Sequence, residues 1–122
     1  GDAHMRLKKK SGVFTIECRS GDRVNGHCPS VDVLFNSCID HANNMIGIIL
    51  TGMGTDGARG LLAMRRKGAR TIGQNEESCV VYGMPKSAYE IGAVEQQLAL
   101  SRTPQAIYAN LKGDSATDEG LI

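Results

Sequence analysis

The hydrophobic pattern is clearest at the centre of the chain. Residues 46–50, IGIIL, form a short apolar run bounded by glycine, which predicts a strand buried on both faces, as in a parallel sheet. A helix is predicted from Ala58 to a glycine stop at Gly68. Its apolar positions recur at helical spacing: Leu61, Leu62 and, less regularly, Met64. Residues 70–74 predict the next strand, so the pattern indicates a right-handed βαβ unit.

Weaker patterns precede this unit. Residues 13–18 are β-prone and are followed by turn-forming residues at 20–22, which predicts a small hairpin. A basic cluster before Ser11 is interpreted as the solvated turn of that hairpin: Arg6, Lys8, Lys9 and Lys10. Ser30 is a predicted N-cap, and it begins a helix with one apolar face: Val31, Leu34, Phe35, Cys38, Ile39 and Ala42. We expect this helix to pack on the sheet.

Downstream, proline and glycine mark the remaining elements. Pro85 is placed to begin a helix that Gly92 ends, and residues 93–100 carry a short last strand. Thr103 is the predicted N-cap of a final helix, and residues 113–122 are expected to form a flexible tail. The fold class is therefore α/β: a three-layer, mostly parallel, doubly wound sheet of Rossmann type, incomplete, with a small β-hairpin near the N-terminus.

The turn between the central strand and helix, residues 52–57, matches G-x-G-x-x-G. Glu76 and Glu77 follow about 20 residues later, where a dinucleotide-binding fold holds a ribose hydroxyl. Asp56 argues against this interpretation, because a carboxylate about 4 Å from a phosphate repels it by roughly 4 kcal/mol at an effective dielectric near 20. Two interpretations of Asp56 remain, which are compatible: an N-cap of the helix, or a carboxylate that orients a catalytic base.

Composition excludes several classes of protein. Lys and Arg number 14 against 13 Asp and Glu, so the net charge of +1 does not indicate nucleic-acid binding. No apolar run approaches about 18 residues, so membrane insertion is not expected. The 4 cysteines lack a C-x-x-C pairing, which argues against a zinc site and a disulfide framework and favours a cytoplasmic location.

Three segments together resemble one family, the bacterial chemoreceptor methylesterases, which are protein-glutamate methylesterases and glutamine deamidases of chemotaxis. The segments are GDAHMRL at 1–7, VNGHCPSVDVLF at 24–35, and the stretch 47–85, which contains LTGMGTDGA and QNEESCVVYGMP. The resemblance implies a Ser-His-Asp triad on a parallel α/β sheet, with Asp56 matching the triad aspartate and the Met53 backbone N–H matching the oxyanion-hole donor. It implies no cofactor or metal, and methyl-accepting chemoreceptors as protein substrates.

The triad serine and histidine have no counterpart in this chain, since none of its serines lies in a G-x-S-x-G elbow. The resemblance therefore implies that residues 1–112 are the C-terminal part of a methylesterase catalytic domain and are inactive alone. The upstream catalytic half and a receiver domain are the implied partners. An exposed sheet edge would favour self-association. The alternative is a shortened, non-catalytic homologue that acts as a binding or assembly module.

Overall fold

A computed structural model of the chain describes residues 2–112. The predicted tail at 113–122 lies outside the described residues. The N-terminal hairpin pairs β1 (Ala3–Lys10) with β2 (Val13–Ser20) in antiparallel register, with Lys10 opposite Val13. Ser11 and Gly12 form the turn with φ of 51° and 81°, as a tight hairpin turn requires. The hairpin is confirmed, but the basic cluster lies within β1 and not in the turn.

The first helix is shorter than predicted. Helix α1 spans Val31–Ser37, and a 3-10 segment, Ile39–Asn44, continues the chain after a break at Cys38. The apolar face was read correctly, since Phe35, Cys38 and Ala42 are all buried in the core. Apolar spacing alone does not distinguish an α-helix from an α-helix followed by a 3-10 turn, because both bury the same side of the chain.

The βαβ unit forms as predicted. Strands β3 (Ile46–Ile49), β4 (Arg70–Gln74) and β5 (Gln96–Leu98) form a parallel sheet in the order β3-β4-β5. Helix α2 (Ala58–Arg66) connects β3 to β4 and packs Leu61, which is fully buried, against the sheet. Gly47 of β3 makes this close approach possible, because a Cβ there would lie 2.5 Å from a methyl carbon of Leu61.

Helices cover both faces of the sheet. Helix α3 (Met84–Glu90) joins α1 and α2 around one core, and α4 (Thr103–Leu111) packs on the opposite face. The second core is small: Ile72, Leu98 and Ala106. Side chains of successive strand residues point to opposite faces, so Ile49 joins the first core while Ile48 packs against the second. The doubly wound, three-layer architecture is therefore confirmed.

Candidate active site

Asp56 lies in the turn after β3, at the carboxyl end of a parallel strand, where open α/β sheets place their sites. Glycines on both sides shape this turn, with φ of 93° at Gly54 and 95° at Gly57. Gly57 occupies the N-cap position of α2, and it makes no side-chain cap. The Asp56 side chain is 4% exposed and points away from α2, toward the start of α1.

Four donors surround the Asp56 carboxylate. Oδ1 accepts hydrogen bonds from the Ser30 hydroxyl at 2.7 Å, the Asn25 amide at 2.8 Å and the Asp32 backbone N–H at 3.3 Å. Oδ2 accepts one from the Val31 backbone N–H at 2.6 Å. Val31 and Asp32 form the first turn of α1, so Asp56 does cap a helix, but not the one predicted. Ser30 holds the N-cap position of α1 and donates to Asp56 without capping the helix itself.

The capping is reciprocal. Asp32, which is buried in α1, accepts a hydrogen bond from the Gly60 backbone N–H in the first turn of α2 at 2.8 Å. Asp32 of α1 thus caps the N-terminus of α2, and Asp56 in the turn before α2 caps the N-terminus of α1, which favours both helices through the helix dipole. The Asn25 amide donates to both carboxylates, at 2.7 Å to Asp32 and 2.8 Å to Asp56. The free N–H groups of the first turn of α2 therefore do face a carboxylate, which disfavours binding of a dinucleotide phosphate there. The carboxylate is that of Asp32 and not, as predicted, that of Asp56.

These contacts set the ionisation of Asp56. Burial alone would raise the pKa of the carboxyl group, but hydrogen bonds from Asn25, Ser30 and the α1 backbone outweigh burial, so the pKa of Asp56 lies below its usual value. Asp56 is therefore an ionised, buried carboxylate near neutral pH. Such a group can accept an imidazole N–H and stabilise an imidazolium ion.

Ser30 contacts Asp56 and His4 contacts Ser30, but the three residues do not form a triad. His4 is 1% exposed, its Nδ1 accepts the Ser30 backbone N–H at 3.1 Å, and its Nε2 lies 2.7 Å from the Asp22 carbonyl oxygen. Because carbonyl oxygens only accept, Nε2 carries the proton and neither nitrogen is available to take one from a serine. The Ser30 hydroxyl donates to Asp56 instead of to an imidazole.

Met53 lies three residues before Asp56 in the same turn. Its side chain is 80% exposed, and its backbone N–H meets no acceptor among residues 2–112. Gly83 packs directly beneath this turn: a Cβ there would lie 2.6 Å from the Gly52 carbonyl oxygen and 3.2 Å from the Met53 Cα. The turn therefore presents a free amide whose position depends on the absence of a side chain at residue 83.

Sequence reasoning missed the residues that fix this turn. Gln74, which is 1% exposed, accepts the Thr51 backbone N–H at 2.7 Å and donates to the Ser78 carbonyl at 2.8 Å. The Thr51 hydroxyl exchanges hydrogen bonds with the backbone of Val81, and Gly52 pairs with Tyr82 as an isolated parallel bridge. A predicted central strand that ends in glutamine was the available signal, since a buried amide requires polar partners. Glu76 and Glu77 are exposed in the same loop.

A parallel α/β domain with a buried carboxylate at the carboxyl end of a central strand has the architecture in which enzymes of this fold place their sites. The sequence model of the CheB methylesterase family matches residues 1–107, and the chain belongs to this family. Among residues 2–112, none of the helices has the length and apolar character needed to cross a membrane.

Relatives and a solved structure agree with this assignment. The chain is 64% identical over 109 residues to protein-glutamate methylesterase/protein-glutamine glutaminase 2 of Syntrophomonas wolfei, covering 88% of this chain and 32% of the relative. It is 55% identical over 123 aligned residues to the Agrobacterium fabrum protein of that name, covering 98% and 33%. The crystal structure of the Thermotoga maritima CheB methylesterase catalytic domain matches with a TM-score of 0.82 at 34% identity, over 87% of this chain and 57% of that domain.

The chain thus spans about a third of the length of these relatives. The resemblance stated from three sequence segments is confirmed at the level of family and fold.

Proposed function

We propose that residues 1–112 form the C-terminal part of the catalytic domain of a chemotaxis protein-glutamate methylesterase. The complete enzyme would hydrolyse methyl-glutamate esters on chemoreceptors and deamidate glutamine, the two activities in the names of the relatives. One observation carries the assignment of the site: the ionised, buried Asp56 carboxylate shares a turn with the Met53 N–H, which has no acceptor among residues 2–112.

The two groups fit two roles in a serine esterase: the aspartate of the triad and a backbone donor of the oxyanion hole. Asp56 would accept one imidazole N–H of a histidine supplied from upstream, which fixes the tautomer so that the other nitrogen takes the proton of a serine. The serine oxygen attacks the ester carbonyl, methanol leaves with that proton, and water then cleaves the acyl-enzyme. The Met53 N–H would donate to the oxyanion that forms at each attack. With a glutamine substrate, the leaving group is ammonia.

The residues present support inactivity of the isolated chain. No histidine ring within residues 2–112 donates to Asp56, and the buried His4 ring has both nitrogens bound elsewhere. The missing serine and histidine would come from the upstream half of the catalytic domain, and a receiver domain would precede it. All 4 cysteines are free, which fits the reducing cytoplasm.

Release of labelled methanol from methylated chemoreceptors tests the proposal. The complete protein should release methanol, the 122-residue chain alone should not, and Asp56→Asn should lower kcat in the complete protein by about 10⁴-fold. Asp40→Asn is the matched control, because it removes the same charge from an exposed site in the 3-10 segment. Activity of the isolated chain that Asp56→Asn abolishes would contradict the proposal. Absence of activity from the complete protein would favour a binding or assembly module.

A further inference from the structure

Asn25 lies in the loop before α1, in a conformation that few residues adopt. Its φ of 55° is in the left-handed region, which asparagine tolerates better than most side chains. The residue is exposed overall, yet its amide nitrogen points inward to two buried carboxylates, Asp32 and Asp56. An amide nitrogen carries two hydrogens, so each carboxylate receives one. The opposite amide orientation would turn an oxygen toward both carboxylates, which the charges forbid.

This amide separates two like charges. Asp32 and Asp56 contact one nitrogen atom, so without it Oδ2 of Asp32 would lose the hydrogen bond that shields it from Asp56, and Oδ1 of Asp56 would lose one of its donors. Two neighbouring carboxylates disfavour each other's ionised form. The other charged side chains that line the adjacent cleft are Arg59 and Glu90. Neither of them makes an ion pair with Asp56 in the described residues.

The distribution of donors over the two oxygens of Asp56 is uneven. Oδ1 accepts hydrogen bonds from the Asn25 amide and the Ser30 hydroxyl and a longer one from the Asp32 backbone N–H. Among the described residues, Oδ2 accepts a hydrogen bond only from the Val31 backbone N–H. Because a carboxylate oxygen accepts about two hydrogen bonds, Oδ1 is saturated and Oδ2 retains one free position. An incoming imidazole N–H would bind at Oδ2.

We propose that Asn25 is a positioning residue for the triad: its amide holds Asp56 with Oδ1 saturated and Oδ2 free to accept the histidine N–H. This inference rests on the proposed function. Asn25 touches no reacting atom and acts through Asp56. A purely structural alternative is that asparagine is present only because the backbone at residue 25 has positive φ.

Two substitutions separate the alternatives. Asn25→Asp keeps the size and the tolerance for positive φ but replaces both donors with a carboxylate, and Asn25→Gly keeps the backbone freedom and removes the side chain. Asn44→Asp is the charge-matched control at an exposed position of the 3-10 segment. The Asp56 carboxyl pKa is measured by carbon NMR in the 122-residue chain, and kcat/KM against pH is measured in the complete protein.

Both Asn25 variants should raise the pKa of Asp56, and Asn25→Asp should raise it more than Asn25→Gly. The control Asn44→Asp should leave the pKa of Asp56 unchanged. In the complete protein, Asn25→Asp should lower kcat/KM about tenfold or more and move the acid limb of its pH profile to higher pH, because the added negative charge stabilises the imidazolium. An unchanged Asp56 pKa and pH profile in Asn25→Asp would overturn the proposal. A raised Asp56 pKa in a complete protein without esterase activity would refute the triad role and the proposed function, while leaving the contact established.

Discussion

Asp56→Asn should destabilise the isolated chain even though the chain is expected to have no activity. The substitution keeps the shape of the side chain, but it turns an NH₂ group toward one of the groups that now donate hydrogen bonds to Asp56. The least costly orientation places that group at the Oδ2 position, where it opposes the Val31 N–H now held at 2.6 Å and leaves that donor without a partner. The substitution also removes the negative charge at the N-terminus of α1.

The magnitude follows from these two losses. A hydrogen bond to a charged group contributes about 1.5–3 kcal/mol, and a charge at a partly buried helix N-terminus adds up to about 2 kcal/mol. Relief of the desolvation of the buried charge offsets part of this, so the expected decrease in the free energy of unfolding is about 2–4 kcal/mol near neutral pH. For a domain of this size, the melting temperature should fall by about 10 °C or more.

The pH dependence has a definite sign. Because the folded pKa of Asp56 is lowered, its contribution to stability is complete above the unfolded pKa of about 3.9. The contribution is lost as the pH falls through the folded value. Urea titrations of the wild-type chain and Asp56→Asn should therefore converge in acid, whereas Asp40→Asn should match the wild type throughout. Equal midpoints for both variants at neutral pH would refute the capping role of Asp56, as would a stability difference that persists unchanged to about pH 2.

Three further predictions concern the turn, the core and a thiol. Gly83→Ala should displace the Met53 turn, because its Cβ would lie 2.6 Å from the Gly52 carbonyl oxygen, and should lower kcat of the complete protein with little change in KM. Leu61→Ala should lower the free energy of unfolding of the chain by about 2–5 kcal/mol, as measured by urea titration, since Leu61 is fully buried between α2 and β3. Cys38 should be alkylated more slowly by iodoacetamide at mildly alkaline pH than the exposed Cys18, because burial raises the pKa of the Cys38 thiol; equal rates would contradict this.

Much of the fold could be predicted from local pattern. The β4 range was predicted without error, and Gly92, with φ of 84°, ends α3 as expected from its conformational freedom. The extent of the hairpin strands was not predictable in the same way: the basic residues before Ser11 look like a solvated turn, but they lie in β1, where Lys8, Lys9 and Lys10 are all exposed. Charge indicates exposure, and exposure does not distinguish a turn from the solvent face of a two-stranded ribbon.

The candidate site was predictable only in part. Asp56 could be selected because the motif places it in a strand-to-helix turn, and Met53 because the family resemblance matches it to the oxyanion-hole donor, but the partners of Asp56 could not be predicted. Asn25 and Asp32 are 31 and 24 residues away along the chain, and no periodicity relates a carboxylate to a helix terminus that arrives through tertiary packing. Asp56 was predicted to cap α2 because the sequence relates a capping residue only to the helix that directly follows it, whereas Asp56 caps α1.

The most direct test of the central claim is a crystal structure of the complete catalytic domain that contains this chain. We expect a histidine from the upstream half whose ring nitrogen lies about 2.7–3.0 Å from Oδ2 of Asp56, with Asn25 and Ser30 still bound to Oδ1. We also expect a serine oxygen next to the free ring nitrogen, within reach of a substrate bound at the Met53 N–H. A structure in which no imidazole contacts Asp56 would contradict the proposed triad role of Asp56, and one in which the histidine displaces Asn25 from Oδ1 would contradict the proposed role of Asn25.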